Sequence, residues 1–144
     1  MPEQTTSSID IQAPPEQVMA VIVDFEDYPA WVQGMKDVQV VQRDADGRAE
    51  QVHFDLDAGV KDAYTLAYEY AGPHTLRWRL VDGKLMRAMD GTYELTATSA
   101  GTHVTYRLAV DLAIPMIGML RRKAEKVIID TALKGLKKRV ESMA

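Results

Sequence analysis

The chain has 144 residues, 47% of them hydrophobic and 26% charged, and no cysteine. That is single-domain size and ordinary globular make-up, and it excludes a disulfide framework or a thiolate metal site. The net charge of −4 is uneven: residues 115–144 carry eight basic and three acidic side chains, or +5, leaving −9 for the rest. The acidic remainder argues against nucleic acid as a partner. No apolar run approaches the ~18 residues that span a bilayer, and the first twelve residues lack the basic and apolar regions of a signal peptide. The expectation is a soluble cytoplasmic protein forming one domain over 1–144.

In chain order, Thr5 to Gln12 alternates weakly and predicts an edge strand. Ala13-Pro14-Pro15-Glu16 opens a short helix, with proline and an acid in its first turn. Val18, Met19, Ile22 and Val23 give that helix its apolar face, and a second helical turn follows from Glu26 to Val32, restarting at Pro29. From Val38 the period becomes two. Arg43-Asp44-Ala45-Asp46-Gly47 is a hairpin signal. Val52, Phe54 and Leu56 alternate with polar residues, Ala58-Gly59 turns the chain, and Tyr64, Leu66, Tyr68 and Tyr70 alternate again. After Ala71-Gly72-Pro73 come Leu76, Trp78 and Leu80, then Asp82-Gly83. The strand from Lys84 to Thr98 is interrupted at Asp90-Gly91, which predicts a bulge. Ser99-Ala100-Gly101 makes the last hairpin before Val104, Tyr106, Leu108, Val110 and Leu112.

Pro115 to the C-terminus predicts one long helix, about 42 Å over 115–142 at 1.5 Å per residue. At 100° per residue, Ile117, Leu120, Ala124, Ile128, Ala132, Gly135, Leu136 and Val140 fall on one stripe. Lys123, Lys126, Asp130, Lys134, Lys137 and Glu141 fall opposite. The fold class is therefore α+β: strand, two short helices, six meandering antiparallel strands, long helix. Seven strands about 4.8 Å apart make a sheet close to 30 Å wide, whereas one helix is only 10–12 Å across. The sheet must curl around the helix, and such a half-barrel leaves space between the two. Five tyrosines (Tyr64, Tyr68, Tyr70, Tyr93, Tyr106) point inward by parity. Buried phenols need partners, so the cluster suggests a partly hydrated interior, unless the hydroxyls reach out to solvent at strand ends.

No side-chain set announces chemistry. His53, His74 and His103 lie on different strands or turns, with His53 and His103 outward by parity, so no metal site is expected. Asp55/Asp57 and Asp44/Asp46 read as solvated pairs, and no inward position holds an unambiguous histidine or carboxylate. No nucleophile elbow or phosphate-binding glycine loop occurs, and no cofactor is implied. Arg121 and Glu125, four apart on the long helix, read either as a helix ion pair or as an anchor for a polar ligand head. Arg87, between Met86 and Met89, stands at the mouth of the expected space.

The order of elements, together with Ile11-Gln12-Ala13-Pro14-Pro15-Glu16-Gln17-Val18 and Asp24-Phe25-Glu26-Asp27-Tyr28-Pro29-Ala30-Trp31, resembles the START-like, helix-grip superfamily. Met89-Asp90-Gly91-Thr92-Tyr93-Glu94-Leu95 and Ile114-Pro115 into Gly118-Met119-Leu120-Arg121-Arg122 fit more narrowly the polyketide cyclase/dehydrase and coenzyme-Q-binding-protein group. The resemblance implies an apolar tunnel between sheet and C-terminal helix for a lipid, polyketide or isoprenoid molecule. A binding or carrier role would line that tunnel with Phe54, Leu56, Tyr64, Leu66, Tyr68, Trp78 and Leu80. Met86, Met89, Tyr93, Tyr106, Leu108, Met116 and Leu120 complete the lining, with Trp31 and Met35 guarding one end. The alternative is an aromatase/cyclase or dehydratase using Tyr64, Tyr93 or Arg87 as proton handlers. A third reading is docking of the basic helix face on a protein or, peripherally, on a membrane. Monomer and homodimer are both compatible with the sequence.

Overall fold

A computed structural model describes residues 4–57, 61–112 and 118–143; the side chains of Leu112 and of residues 118–120 lie outside the description. The strands are β1 (Thr5–Ile11), β2 (Met35–Arg43), β3 (Ala49–Asp57), β4 (Lys61–Tyr70), β5 (Thr75–Gly83), β6 (Met86–Thr98) and β7 (Gly101–Leu112). Helix α1 (Pro15–Ile22) and a 3-10 helix (Phe25–Ala30) separate β1 from β2, and α2 (Gly118–Ser142) follows β7. The strands form one antiparallel sheet in the order β1-β7-β6-β5-β4-β3-β2. No described helix is long and apolar enough to cross a membrane.

Local chemistry explains most boundaries. Pro14 caps α1 and Pro15 takes its first turn, where a missing N–H costs nothing. At the β2–β3 turn, Asp44 Oδ1 accepts the amides of Asp46 and Arg48, and Gly47 takes the positive φ of 83° that glycine adopts without strain. Pro29 lies inside the 3-10 helix instead of restarting a second helix. The register of β2 against β3 is broken at three places, between Met35 and Asp37, Val40 and Gln42, and Gln42 and Arg43.

Asp90-Gly91 is not a bulge. Both residues pair without interruption, with Arg79 and Trp78 on one side and Ala109 and Leu108 on the other. The irregularity in β6 lies earlier, between Met86 and Ala88. Glycine stands at 91 because the Trp78 indole crosses it: a Cβ there would sit 2.1 Å from a ring atom.

Helix α2 lies along β1, with β7 and α1 as its other main neighbours. Five hydrogen bonds fasten it to β1 and to Gln12 just beyond: Thr5 Oγ1 to Glu125 (2.7 Å), Ser7 Oγ to Asp130 (3.2 Å), Lys126 Nζ to Ser7 Oγ (3.4 Å), Lys137 Nζ to the Asp10 carbonyl (2.7 Å) and the Gln12 amide to Glu141 (3.0 Å). The lengths match, since seven strand residues at ~3.3 Å and sixteen helical residues at 1.5 Å both run about 23 Å.

The buried stripe of α2 is rotated from the predicted one. Glu125, Ile129, Leu133, Leu136 and Val140 are buried, whereas Ile128 is 42% and Val127 59% exposed. Two apolar phases compete where Ile128 and Ile129 adjoin, and the phase with the larger side chains wins although it buries Glu125. That carboxylate is satisfied. β1 begins at Thr5, opposite Leu108, so the Val110 amide lies past the paired stretch and donates to Glu125 at 2.7 Å. The predicted helix start at Pro115 and the Ala58-Gly59 turn fall outside the described residues, as does Ile117.

Candidate functional site: an aromatic trough

The concave face of the sheet is aromatic where α2 does not lie. Cross-strand pairs place Phe54 beside Tyr64, Tyr68 beside Trp78, and Tyr93 beside Tyr106. The 3-10 helix covers them, with Phe25 on Tyr68 (ring centroids 4.5 Å apart) and Tyr28 on Phe54 (6.1 Å). Nine of the ten aromatic side chains join in one continuous network, from Trp31 through Tyr28, Phe25, Tyr68 and Trp78 to Tyr93 and Tyr106. Phe54 and Tyr64 stack at 5.3 Å as a branch of it.

The phenols divide into two groups. Tyr28 donates to the Ile22 carbonyl at 2.5 Å and Tyr70 to the Ala49 carbonyl at 2.7 Å. The hydroxyls of Tyr64, Tyr68, Tyr93 and Tyr106 have no hydrogen-bond partner among the described residues. Burial pushes all four well above the ordinary phenol range. Smaller contributions come from neighbouring phenols, Tyr28 on Tyr68 and Tyr93, and Tyr64 on Tyr68 and Tyr106. The rings are adjacent: Tyr93 and Tyr106 lie 4.6 Å apart, and Trp78 meets both of them and Tyr68. The four phenols are neutral donors at physiological pH.

Two inward carboxylates correct the sequence expectation of none. Glu125 is 1% and Asp62 8% exposed. Asp62 shares a face of β4 with Tyr64 and contributes to raising that phenol. Its Oδ1 accepts the amides of Lys84 (3.3 Å) and Leu85 (3.2 Å), which closes the β5–β6 turn. Glu125 does not pair with Arg121 among the described residues; its partners are Thr5 and Val110. Asp62 has the parity of Tyr64 and Leu66 and so points inward with them; what the sequence does not show is the pair of amides that lets a carboxylate stay there.

The other predicted residues are placed as follows. Leu66, Trp78, Met86, Met89 and Leu108 are buried in the same core, and Leu56, Tyr68 and Leu80 pack against it half-buried. Trp31 and Met35 line one cleft of about 390 Å3 beside the 3-10 helix, together with Pro29, Val32 and Asp57. A second cleft of about 440 Å3 opens on the other side of that helix, between Met19, Val23 and Phe25, the β2–β3 hairpin residues Val40, Arg43 and Arg48, and Tyr70. Phe25 thus forms both the floor of this cleft and the roof over Tyr68. Two of the openings among the described residues thus flank the 3-10 helix, and a third of about 480 Å3 lies over β4, β5 and β6, between Ala67, Arg77, Arg79, Asp90 and Thr92. The 3-10 helix is tied to α2 by Asp27 and Arg139 at 2.8 Å, and Trp31 packs on Gly135. Arg87 does not join the tyrosines: it is exposed at the β6 irregularity, 3.8 Å from Asp111. Met116 and the side chain of Leu120 lie outside the described residues. His53 and His103 point outward, to Thr65 (3.0 Å) and Asp10 (2.7 Å). No three His, Asp or Glu side chains gather among the described residues.

A curved seven-stranded antiparallel sheet folded about a C-terminal helix, with an aromatic interior, defines the START-like helix-grip class. The chain belongs to the polyketide cyclase/dehydrase and lipid transport family, whose model matches residues 2–141. Solved structures agree on the fold. A START superfamily protein from Mycobacterium smegmatis superposes with a TM-score of 0.94 at 22% identity, covering 99% of each chain. A Thermus thermophilus protein does so at 0.81 and 24% identity, over 98% of this chain and 99% of that one. The Zhui aromatase/cyclase of a Streptomyces species gives 0.73 at 14% identity, over 96% and 93%. No curated protein sequence matches the chain significantly.

Proposed function

We propose that the chain binds an uncharged hydrophobic small molecule bearing hydrogen-bond-accepting oxygens, held in the aromatic trough and reached through the clefts beside the 3-10 helix. One observation carries this reading: Tyr64, Tyr68, Tyr93 and Tyr106 stand on one aromatic face as neutral donors whose hydroxyls have no partner among the described residues. A ligand carbonyl accepting from one of these hydroxyls would contribute about 0.5–1.5 kcal/mol. From β3 to β7 the described inward positions hold no Lys, Arg or His, while Asp62 and Glu125 would repel an anionic head. Aromatic and aliphatic walls supply affinity at roughly 25 cal/mol per Å2 buried. The family's lipid-transport and cyclase members support the same ligand class.

Native mass spectrometry of the chain purified from cells, with uptake assays for a quinone and for a fatty acid, tests the reading. A co-purifying neutral molecule, or quinone uptake exceeding fatty-acid uptake, is expected. A bare chain that takes up neither would sink it.

The second reading, a cyclase or dehydratase, is favoured by Asp62 beside Tyr64. A carboxylate and a neutral phenol together could remove a proton from a β-keto chain and donate one to the resulting enolate oxygen. Turnover of a poly-β-ketone substrate, abolished in Tyr64→Phe and reduced in Tyr93→Phe, would identify it. Unchanged turnover in both variants rejects it.

A further inference from the structure

We infer that the outward face of α2 docks on an anionic lipid surface. The exposed residues of this helix are Arg122, Lys123, Lys126, Val127, Ile128, Thr131, Lys134 and Lys138, with Ser142 at its end. None of them is acidic. The helix's three acids are engaged elsewhere: Glu125 is buried, Asp130 bonds Lys126 and Ser7, and Glu141 bonds Lys137 and the Gln12 amide. Counted at 100° per residue, Val127 sits at the crest opposite the buried stripe. Lys123, Lys134 and Lys138 lie within about 40° of it, and Ile128 forms one shoulder. Lys123 to Lys138 spans about 22 Å of helix.

Val127 and Ile128 are among the few large apolar side chains that the fold leaves exposed. Both face solvent because Ile129 and its phase-mates take the core. A pair of apolar tips among long, flexible cations is a poor protein interface, since stable ones bury about 800 Å2 per partner and are depleted in lysine. It suits a bilayer surface: the tips enter the boundary between headgroups and acyl chains while the ammonium groups meet lipid phosphates. The charge distribution orients the molecule, because the −9 of the first 114 residues is repelled by the surface that attracts the helix. The inference is independent of whether the trough holds a ligand.

Co-sedimentation of the full chain with vesicles is the test. One set is phosphatidylcholine alone; the other contains about 30% phosphatidylserine, the anionic lipid of natural leaflets. Binding to the anionic set at low salt is expected, with none to the neutral set and loss in high salt. Lys134→Glu with Lys138→Glu should weaken anionic binding at least about 25-fold, from roughly fivefold per cation removed. Val127→Ser with Ile128→Ser should weaken it several-fold and leave the salt dependence unchanged. Circular dichroism checks that each variant stays folded. Absence of binding at low salt, equal binding to both vesicle sets, or indifference to the substitutions would overturn the inference. So would concentration-dependent dimerisation that the Val127 and Ile128 substitutions abolish, which would assign the face to a second copy of this chain.

Discussion

Beneath α2 the interior is aliphatic, whereas beneath the 3-10 helix it is aromatic. Ile11, Val18, Ile22, Val104, Ile129, Leu133, Leu136 and Val140 are buried to within 2% of completely. They carry no polar atoms, and the one charged group among them, Glu125, has its partners. In the aromatic region Tyr68, Leu56, Leu80, Trp31 and Tyr28 are only partly buried, and the Tyr64, Tyr68, Tyr93 and Tyr106 hydroxyls have no hydrogen-bond partner among the described residues. One half of the concave face is finished by the protein itself. The other is the half in which the proposed ligand would sit.

Substitutions should therefore separate stability from binding according to the half they touch. The largest effect belongs to the aliphatic half: Leu136→Ala should cost about 3 kcal/mol and lower Tm by about 10 °C, because the site is fully buried and closed. Gly91→Ala comes next, at about 2 kcal/mol, since its new Cβ must displace the Trp78 indole. Its signature is a shifted tryptophan emission, and an unshifted spectrum would mean that the ring does not cross the strand as described. Tyr68→Phe should change stability by less than about 0.5 kcal/mol while weakening a carbonyl-bearing ligand five- to tenfold, the worth of one hydrogen bond. A large stability loss here would show that the hydroxyl serves the fold.

Two pH responses complete the contrast. The buried phenols are raised above their unfolded range, so the stability they confer is complete below about pH 10 and is lost as pH rises toward their folded values. Phenolate absorbance should appear together with unfolding, not before it. Along α2, Asp130 is held low chiefly by its Lys126 hydrogen bond and Glu141 by that of the Gln12 amide. Their contribution is present above the ordinary carboxylate range and fades as pH falls below it. Both are about one-third exposed and solvent-screened, so only a slight softening of α2 against β1 is expected there, read by amide exchange near Gln12.

The strands and turns are legible because period-two alternation and glycine-rich hairpins are local signals, and their order resembles that of the family. What escaped is non-local. The choice between Ile128 and Ile129 turns on whether a carboxylate at 125 can be buried, which depends on a β7 amide that β1 is too short to reach. The glycine at 91 looked like a kink because the ring that demands it comes from another strand. Asp62 needed the Lys84 and Leu85 amides before it could face inward. Among the trough residues, Phe54, Tyr64, Tyr68, Trp78, Tyr93 and Tyr106 followed from parity alone. Phe25 and Tyr28, which roof them, did not, because irregular helices have no period to read.

The three breaks in register along β2 have a consequence for the molecule's neighbours. An open sheet ends in a row of free amides and carbonyls on which another chain could add strand after strand. An outer strand bent at Met35, Val40 and Gln42, and carrying Lys36, Asp37 and Arg43, is a poor template for such growth. The half-barrel can thus keep one flank ajar without seeding fibrils.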